Sequence, residues 1–303
     1  MRTTTRLRQL IERPEILVMP GIYDALGARI AQQTGFDAVT CGGFAATATL
    51  LGQPDASQLS LSELADHYAR LCDATQLPVF ADMDTGFGNS TNARRALHAY
   101  ERAGVAGLFV EDQVFPKRCG HTAGKQVVPP VEMVAKLQAM LDERRDADLV
   151  IMARTDALAV EGIEAAIDRA CLYRACGADL VFIEAPRSVD DMRRICAEVD
   201  GPCLANSVEH GLTPLLSAAE LQAIGYAAVV HPVSALFAVT KTMQTLMASL
   251  RETGSTQAWL DRIAHFDAFT ELVGLPRLRA DEQQVLDRAA AAEAAHRRRR
   301  PDA

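Results

Sequence analysis

The sequence predicts a (β/α)8 barrel, and two observations carry that prediction. Eight short apolar runs rich in Val, Ile, Leu and Phe recur along the chain, separated by longer amphipathic segments of helical period. Continuous apolar strands joined by crossover helices form a parallel sheet covered by helices. Polar residues also gather at the C-terminal end of nearly every run, the side of a parallel barrel on which active sites are built. A doubly wound open sheet is the second choice.

In order, the apolar runs are residues 16–20, 37–42, 79–84, 107–113, 149–156, 179–185, 202–206 and 227–232. The segments 91–103, 130–142, 163–176 and 189–199 are amphipathic helices between them. Gly35, Gly104, Gly177 and Gly225 each precede a strand, where a helix must stop and the chain must turn. After the eighth run, residues 234–251, 256–272 and 280–300 read as three more helices, with the basic block 297–300 as a frayed tail. One barrel does not need all three. The domain reading is therefore a barrel core, 1–233, and C-terminal helices, 234–303, that cap the barrel or reach a neighbouring subunit.

Composition narrows the function. With 303 residues, 49% hydrophobic and 23% charged, the chain can bury a substantial core. A net charge of −8 argues against a nucleic-acid partner, and 5% aromatic residues leave no stacking platforms. The long uncharged stretch 221–240 is broken by Gln222, Gly225, His231 and Pro232, so no membrane span is expected. Residues 1–14 hold four arginines but no apolar segment, so no signal peptide is expected. Seven cysteines without a C-x-x-C pair fit neither a disulfide framework nor a zinc site, and the cytoplasm is the expected compartment.

The strand ends carry Asp24, Thr40, Asp82, Asp84, Glu111, Asp112, Arg154, Asp156, Glu184, Asn206 and His231. Loop polarity accounts for Ser and Asn, but not for four or five acids converging on one arginine. Asp82 and Asp84 are two apart on a strand, so their side chains are expected on one face. Two carboxylates that close repel unless a cation or proton lies between them, and an all-oxygen site selects a hard ion such as Mg2+. Glu111, at the next strand end, is placed to join the outer shell. The alternative is a pair of capping aspartates before the helix at Thr91.

A second motif is Lys117-Arg118-Cys119-Gly120-His121, within a long loop, residues 113–130. Cys119 is expected to be exposed, with its thiol pKa lowered by Lys, Arg and His. Cys72, Cys171 and Cys176 fall in helical segments and read as core. Gly120 and Gly124 let the loop hinge as a lid.

These motifs, with Pro20-Gly21-Ile22-Tyr23-Asp24-Ala25, Leu51-Gly52-Gln53-Pro54-Asp55, Met152-Ala153-Arg154-Thr155-Asp156-Ala157, Glu184-Ala185, and Asn206 with Glu209-His210-Gly211-Leu212-Thr213-Pro214, resemble the isocitrate lyase/phosphoenolpyruvate mutase superfamily. The likeness is to its short-chain lyase branch, methylisocitrate and dimethylmalate lyases, over roughly residues 20–232 and on to 274. The resemblance implies a barrel whose last helix is exchanged between neighbours, usually in a homotetramer. It implies Mg2+, with Mn2+ as substitute, bound by Asp84 directly and by Asp82 and Glu111 through water. It places the substrate's keto- or hydroxy-acid end on the metal, Arg154 and the amides near Gly42 and Gly43. The rest of the implied substrate site is Thr40, Asp55, Gly120, Glu184, Asn206 and Thr213, and Cys119 is the implied acid, aided by Lys117, His121 and Arg154. The implied reaction is retro-aldol-type cleavage of a 2-hydroxy di- or tricarboxylate to pyruvate or a related keto acid.

Two departures matter. Several relatives place Tyr and Ser where this chain has Thr40-Cys41-Gly42-Gly43-Phe44, which leaves the hydroxyl base unidentified. Phe237 and Phe266 align where methylisocitrate lyases carry arginines for a third carboxylate. A buried carboxylate without a cation costs several kcal/mol, so an apolar tail fits better than a tricarboxylate. The alternatives are an oxaloacetate hydrolase or decarboxylase, and a phosphonopyruvate-type (carboxyphosphonoenolpyruvate) phosphonomutase, against which the cysteine loop argues. A Schiff-base aldolase would want a lysine at a strand end, and Lys117, Lys125, Lys136 and Lys241 are all elsewhere. A non-catalytic binding barrel has no need for an exposed thiol on a lid.

Overall fold

A computed structural model describes residues 1–299. The strands are Leu17–Pro20 (β1), Val39–Cys41 (β2), Val79–Asp82 (β3), Gly107–Glu111 (β4), Val150–Thr155 (β5), Leu180–Ile183 (β6), Leu204–Asn206 (β7) and Ala228–His231 (β8). All pair in parallel, as β1-β8-β7 and as β2 to β6 in order. Parallel bridges Gly21↔Thr40 and Val181↔Cys203 join the two arcs into a ring. Each of the eight apolar runs contains one strand, and no open sheet remains.

Alternation along the strands sorts the side chains into two layers. Leu17, Met19, Phe80, Phe109, Met152, Phe182, Leu204 and Val230 form the inner cluster. Val39, Ala81, Leu108, Val110, Ile151, Val181 and Val229 join the outer cluster, against helices that include Ser90–Ala103, Pro130–Glu143, Ile163–Ala175 and Val189–Glu198. Asn89 closes the first of these helices with a capping box, and Gly104, at φ 85°, ends it in the left-handed conformation a side chain disfavours.

The sequence reading missed the plug of the barrel. Residues 1–14 form a helix, Thr3–Glu12, whose Leu7, Leu10 and Ile11 belong to the inner cluster. A Cβ on Gly107 would come within 2.7 Å of Phe80 and 2.8 Å of Leu7, so that glycine makes room for the plug. A short amphipathic helix rich in arginine resembles a polar leader until its buried face is seen.

Contacts divide the chain into two units, Met1–Lys241 and the residues from Thr242 on, so the division falls inside the helix Ser234–Thr253 rather than at 233/234. In the second unit the single helix expected over 256–272 is broken. A 3-10 turn, Gln257–Arg262, with Arg262 4.1 Å over the Trp259 ring, is followed by extended backbone at Ile263 and His265, then a helix, Phe266–Leu272. The last helix begins earlier than expected, Leu275–Arg299. Arg297–Arg299 are helical rather than frayed, and Arg297 pairs with Glu293 at 2.6 Å; Arg300 lies outside the described residues. No helix among the described residues is long and apolar enough to cross a membrane.

Leu7 is fully buried at the barrel base. Leu7→Ala should cost about 3 kcal/mol of stability and lower the melting temperature, while a substitution at exposed Arg2 should leave it unchanged.

Candidate active site

Asp82 ends β3, and each of its carboxylate oxygens accepts one backbone hydrogen bond: Oδ1 from Asp84 N–H and Oδ2 from Gly43 N–H, both at 2.8 Å. Asp84 is not on the strand, which corrects the expected two-residue spacing. It has φ 47°, and this left-handed turn, not strand alternation, brings its carboxylate beside Asp82. The turn is anchored from behind, because the buried hydroxyls of Tyr68 and Tyr100 both donate to the Asp82 carbonyl, at 2.9 and 2.7 Å.

Three buried cations face these acids. Lys117 Nζ lies 2.7 Å from Asp55, 3.0 Å from Asp84 Oδ1 and 4.0 Å from Asp82. Arg154, on β5, meets Glu111 at 3.2 Å, Asp156 at 2.9 Å and Glu184 at 3.0 Å. Lys125 meets Asp156 at 2.8 Å. Six carboxylates thus share three cations, with every side chain at most 8% exposed. The shortfall shows in the acids. Burial drives Asp84 up to about 6 despite Lys117, and drives Glu111 well above its usual range despite Arg154.

The residues fit a hard dication in one specific sense. Among the described residues no three His, Cys, Asp or Glu side chains converge closely enough to hold a metal alone. Mg2+ does not need that, since it takes one or two carboxylates and keeps several waters. Asp84 Oδ1 and Glu111 Oε2 are buried oxygens that accept no hydrogen bond, their nearby cations approaching off-axis. They are the atoms a positive ion would satisfy.

The loop lies over this cluster. Gln113 ties its first limb, donating to Glu111 at 3.0 Å and to the Arg118 carbonyl at 2.8 Å. A Cβ on Gly120 would stand 2.4 Å from Glu184 and 2.5 Å from Arg154, so only glycine lets the loop rest on that pair. His121 Nδ1 accepts from Leu212 N–H at 3.0 Å, which leaves the proton of the neutral ring on Nε2, 3.4 Å from Glu184. Burial lowers the His121 pKa and favours that neutral ring.

Cys119 departs from expectation in burial and in sign. It is half-buried, and its thiol pKa is raised, first by desolvation, with Glu184 and Asp55 adding to the rise and Arg154 opposing it. The His121 backbone N–H also opposes the rise, but its imidazole, held neutral, adds no positive charge, and Lys117 is already paired with acids. Cys72, Cys171 and Cys176 are half-buried, the first two packed against the core.

These groups surround a cavity of about 330 Å3. Its floor is the inner barrel layer, Phe80, Phe109, Met152, Phe182, Leu204 and Val230. Besides the polar groups the lining holds Phe44, Pro232, Val233 and Phe237, with the two phenyl rings edge to face at 6.3 Å.

With this geometry in view, comparison with known proteins is decisive. Residues 7–251 match the phosphoenolpyruvate phosphomutase family. The chain belongs to that family, within the isocitrate lyase/phosphoenolpyruvate mutase superfamily. Among curated relatives, a 2,3-dimethylmalate lyase of Eubacterium barkeri is 41% identical over 93% of this chain and 98% of its own. Among solved structures, an oxaloacetate acetylhydrolase in complex with the inhibitor 3,3-difluorooxalacetate superposes with a TM-score of 0.88 at 34% identity, covering 93% of this chain and 97% of that one. A phosphonopyruvate hydrolase in complex with oxalate and Mg++ gives 0.86 at 27% identity, covering 94% and 100%.

Of the residues singled out in the sequence of this family member, Thr40, Gly42, Asp55, Asp82, Lys117, Cys119, Gly120, His121, Arg154, Glu184, Asn206 and Phe237 line the cavity. Asp84 and Glu111 lie behind the lining, under Lys117 and Arg154. The Gly43 amide is already taken by Asp82, so it is not free for a substrate carboxylate. Thr40 spends its hydroxyl hydrogen on the Phe80 carbonyl. Thr213 lies outside the lining, its buried hydroxyl without a partner, and Phe266 is 80% exposed and also outside it. Sequence reasoning missed Phe44 and Lys125, and gave Asp156 no role. Lys125 is one lysine in a loop without periodicity; only its contacts reveal it.

Cys119 alkylation provides a test of the sign. Because burial raises this thiol above its ordinary value of about 9, its reaction with iodoacetamide should accelerate only at still higher pH. A midpoint at or below that value, measured on the intact protein by peptide mass spectrometry, would contradict the geometry.

Proposed function

We propose that the chain is a Mg2+-dependent carbon–carbon lyase that cleaves a 2-hydroxy dicarboxylate with an alkyl tail, of the 2-alkylmalate or dimethylmalate type, into pyruvate or a related keto acid and a carboxylate. The observation that carries this reading is a thiol, Cys119, whose pKa burial raises, in the lining of a cavity that brings buried acids, Lys117 and Arg154 together with Phe44 and Phe237. Asp84 would hold the ion directly, with Asp82 and Glu111 orienting its waters. When bound, Mg2+ supplies Lewis-acid polarisation of the substrate's oxygens.

The chain's own groups do the rest. Arg154 and the Nε2–H of His121 face the cavity as donors to the substrate's anionic end, and Lys117 offsets the acids beneath. A base takes the 2-hydroxyl proton, the oxygen's electrons form the keto C=O as the C2–C3 bond breaks, and the bonding pair stays on the departing carbon next to its carboxylate. Cys119 delivers its proton there, and the thiolate it leaves is neutralised overall by the proton released from the hydroxyl. A raised thiol pKa keeps that proton available at neutral pH, which a thiolate-forming site would not. The loop's rest on Glu184 and Arg154 keeps bulk water from competing. Where Phe44 and Phe237 line the cavity they offer no cation to a third carboxylate, which favours an alkyl substituent over a tricarboxylate.

We also place the protein in the cytoplasm, in keeping with seven free cysteines, and read the helices from Ser234 on as completing the barrel and contacting another subunit of a homo-oligomer, most simply a tetramer with exchanged helices. Exposed Phe269, Leu278 and Leu286 support that surface. A second reading, hydrolysis or decarboxylation of oxaloacetate, is favoured by the likeness to an oxaloacetate acetylhydrolase.

A substrate panel separates these readings, with keto-acid formation as the measurement. Dimethylmalate or another 2-alkylmalate should turn over fastest, methylisocitrate much more slowly. EDTA should abolish activity and Mg2+ or Mn2+ restore it. Cys119→Ser, a far weaker acid, should lose about 10^2- to 10^4-fold in kcat. Faster oxaloacetate turnover, or activity indifferent to chelator, refutes the lyase reading.

A further inference from the structure

We propose that Lys125 is a positioning residue that holds the apex of the lid loop down, and with it the Cys119 thiol over the cavity. Its role in turnover rests on the proton-donor reading of Cys119. Lys125 is buried, and its ammonium donates both to the Gly120 carbonyl and, at 2.8 Å, to Asp156 Oδ1. Asp156 is fully buried and takes two hydrogen bonds from Arg154, from Nε at 2.9 Å and from Nη2 at 3.2 Å. One lysine therefore joins the peptide next to Cys119 to the carboxylate that fixes Arg154.

The rest of the loop shows why this link matters. Its first limb is already secured by Gln113. Lys117, bonded to Ser57 at 3.0 Å and Asp55 at 2.7 Å, holds the stretch before Cys119. Beyond it the apex is otherwise held by bonds internal to the loop, Thr122 to the Cys119 carbonyl at 2.9 and 2.7 Å and Arg118 to the Ala123 carbonyl at 3.2 Å, and by the bond of Leu212 to His121. Lys125 anchors the apex to the floor of the site through a buried charge pair, the strongest kind of contact available there.

Charge gives the link a second effect. Arg154 is shared among Glu111, Asp156 and Glu184. Burial alone would raise Asp156, yet Arg154 and Lys125 together hold it below its usual range. Without Lys125, Asp156 draws on Arg154 alone, and the guanidinium is pulled away from Glu184, the pair on which Gly120 rests.

The test reads the loop rather than the chemistry. Full-length wild type, Lys125→Met, Lys125→Gln and Lys125→Arg are labelled with iodoacetamide at neutral pH, and modification of Cys119 is resolved by peptide mass spectrometry. Loss of one charge-assisted hydrogen bond in Lys125→Met should speed Cys119 labelling about tenfold or more. Lys125→Gln should lie between, and Lys125→Arg should return protection towards wild type. On the best substrate of the panel, kcat should fall in step with labelling, with KM changed by less than about threefold. Should Lys125→Met fail to fold, the Gln and Arg variants carry the same comparison. Labelling within about twofold of wild type in every folded variant overturns the proposal. Faster labelling with unchanged turnover upholds the clamp and instead removes Cys119 from the role of acid, so the two ideas fail separately.

Discussion

The constraint on which the site depends is an electrostatic shortfall at the barrel mouth. Asp55, Asp82, Asp84, Glu111, Asp156 and Glu184 are removed from water together, while among the described residues only Lys117, Lys125 and Arg154 pair with them as cations. At the lowered effective dielectric of a buried site, each unpaired carboxylate costs several kcal/mol, and the group responds by holding a proton or recruiting a cation. Asp84 and Glu111 are raised for this reason. The same shortfall pulls two lysines of one loop inward, so the loop is closed by the acids beneath it as much as by its own turn geometry.

The barrel makes such a concentration of charge tolerable. Its interior is filled from the base by Leu7, Leu10 and Ile11 and above by Phe80, Phe109, Met152 and Phe182, so the acids stand on an apolar floor with one open side. Rigidity comes from behind the strands. Two tyrosine hydroxyls on one carbonyl hold the Asp82–Asp84 turn, whose left-handed Asp84 is a conformation uncommon outside glycine, though aspartate is among the residues that tolerate it best. A site built on strand ends and anchored through the outer layer can place two repelling carboxylates reproducibly.

The lid reverses the chemistry that its composition suggests. A cysteine between lysine, arginine and histidine ordinarily reads as a nucleophile with a lowered pKa. Here Lys117 is turned into the acid cluster and His121 is neutral, while burial and Glu184 act on the thiol in the opposite sense. A thiol so held keeps its proton, which is the form the proposed acid role needs.

The sequence by itself determined the barrel, because eight parallel strands buried on both faces must be apolar runs and the helices that cover them must be amphipathic; both periods are local and can be counted. It also placed most of the acids that crowd the mouth, since in a parallel ring every strand ends on the same side, although Asp24 instead caps a helix and Asp112 pairs with Arg169. Tertiary structure alone decided how those groups act. The convergence of Asp84 with Asp82 comes from a left-handed turn rather than from strand spacing, the Gly43 amide is already spoken for, and Thr213 falls outside the cavity. Lys125, Asp156 and Phe44 acquire roles only through contacts between segments far apart in the chain. Local pattern fixes where a residue lies on its own strand or helix; the field it feels, and hence whether its proton stays or leaves, is the sum over everything folded against it.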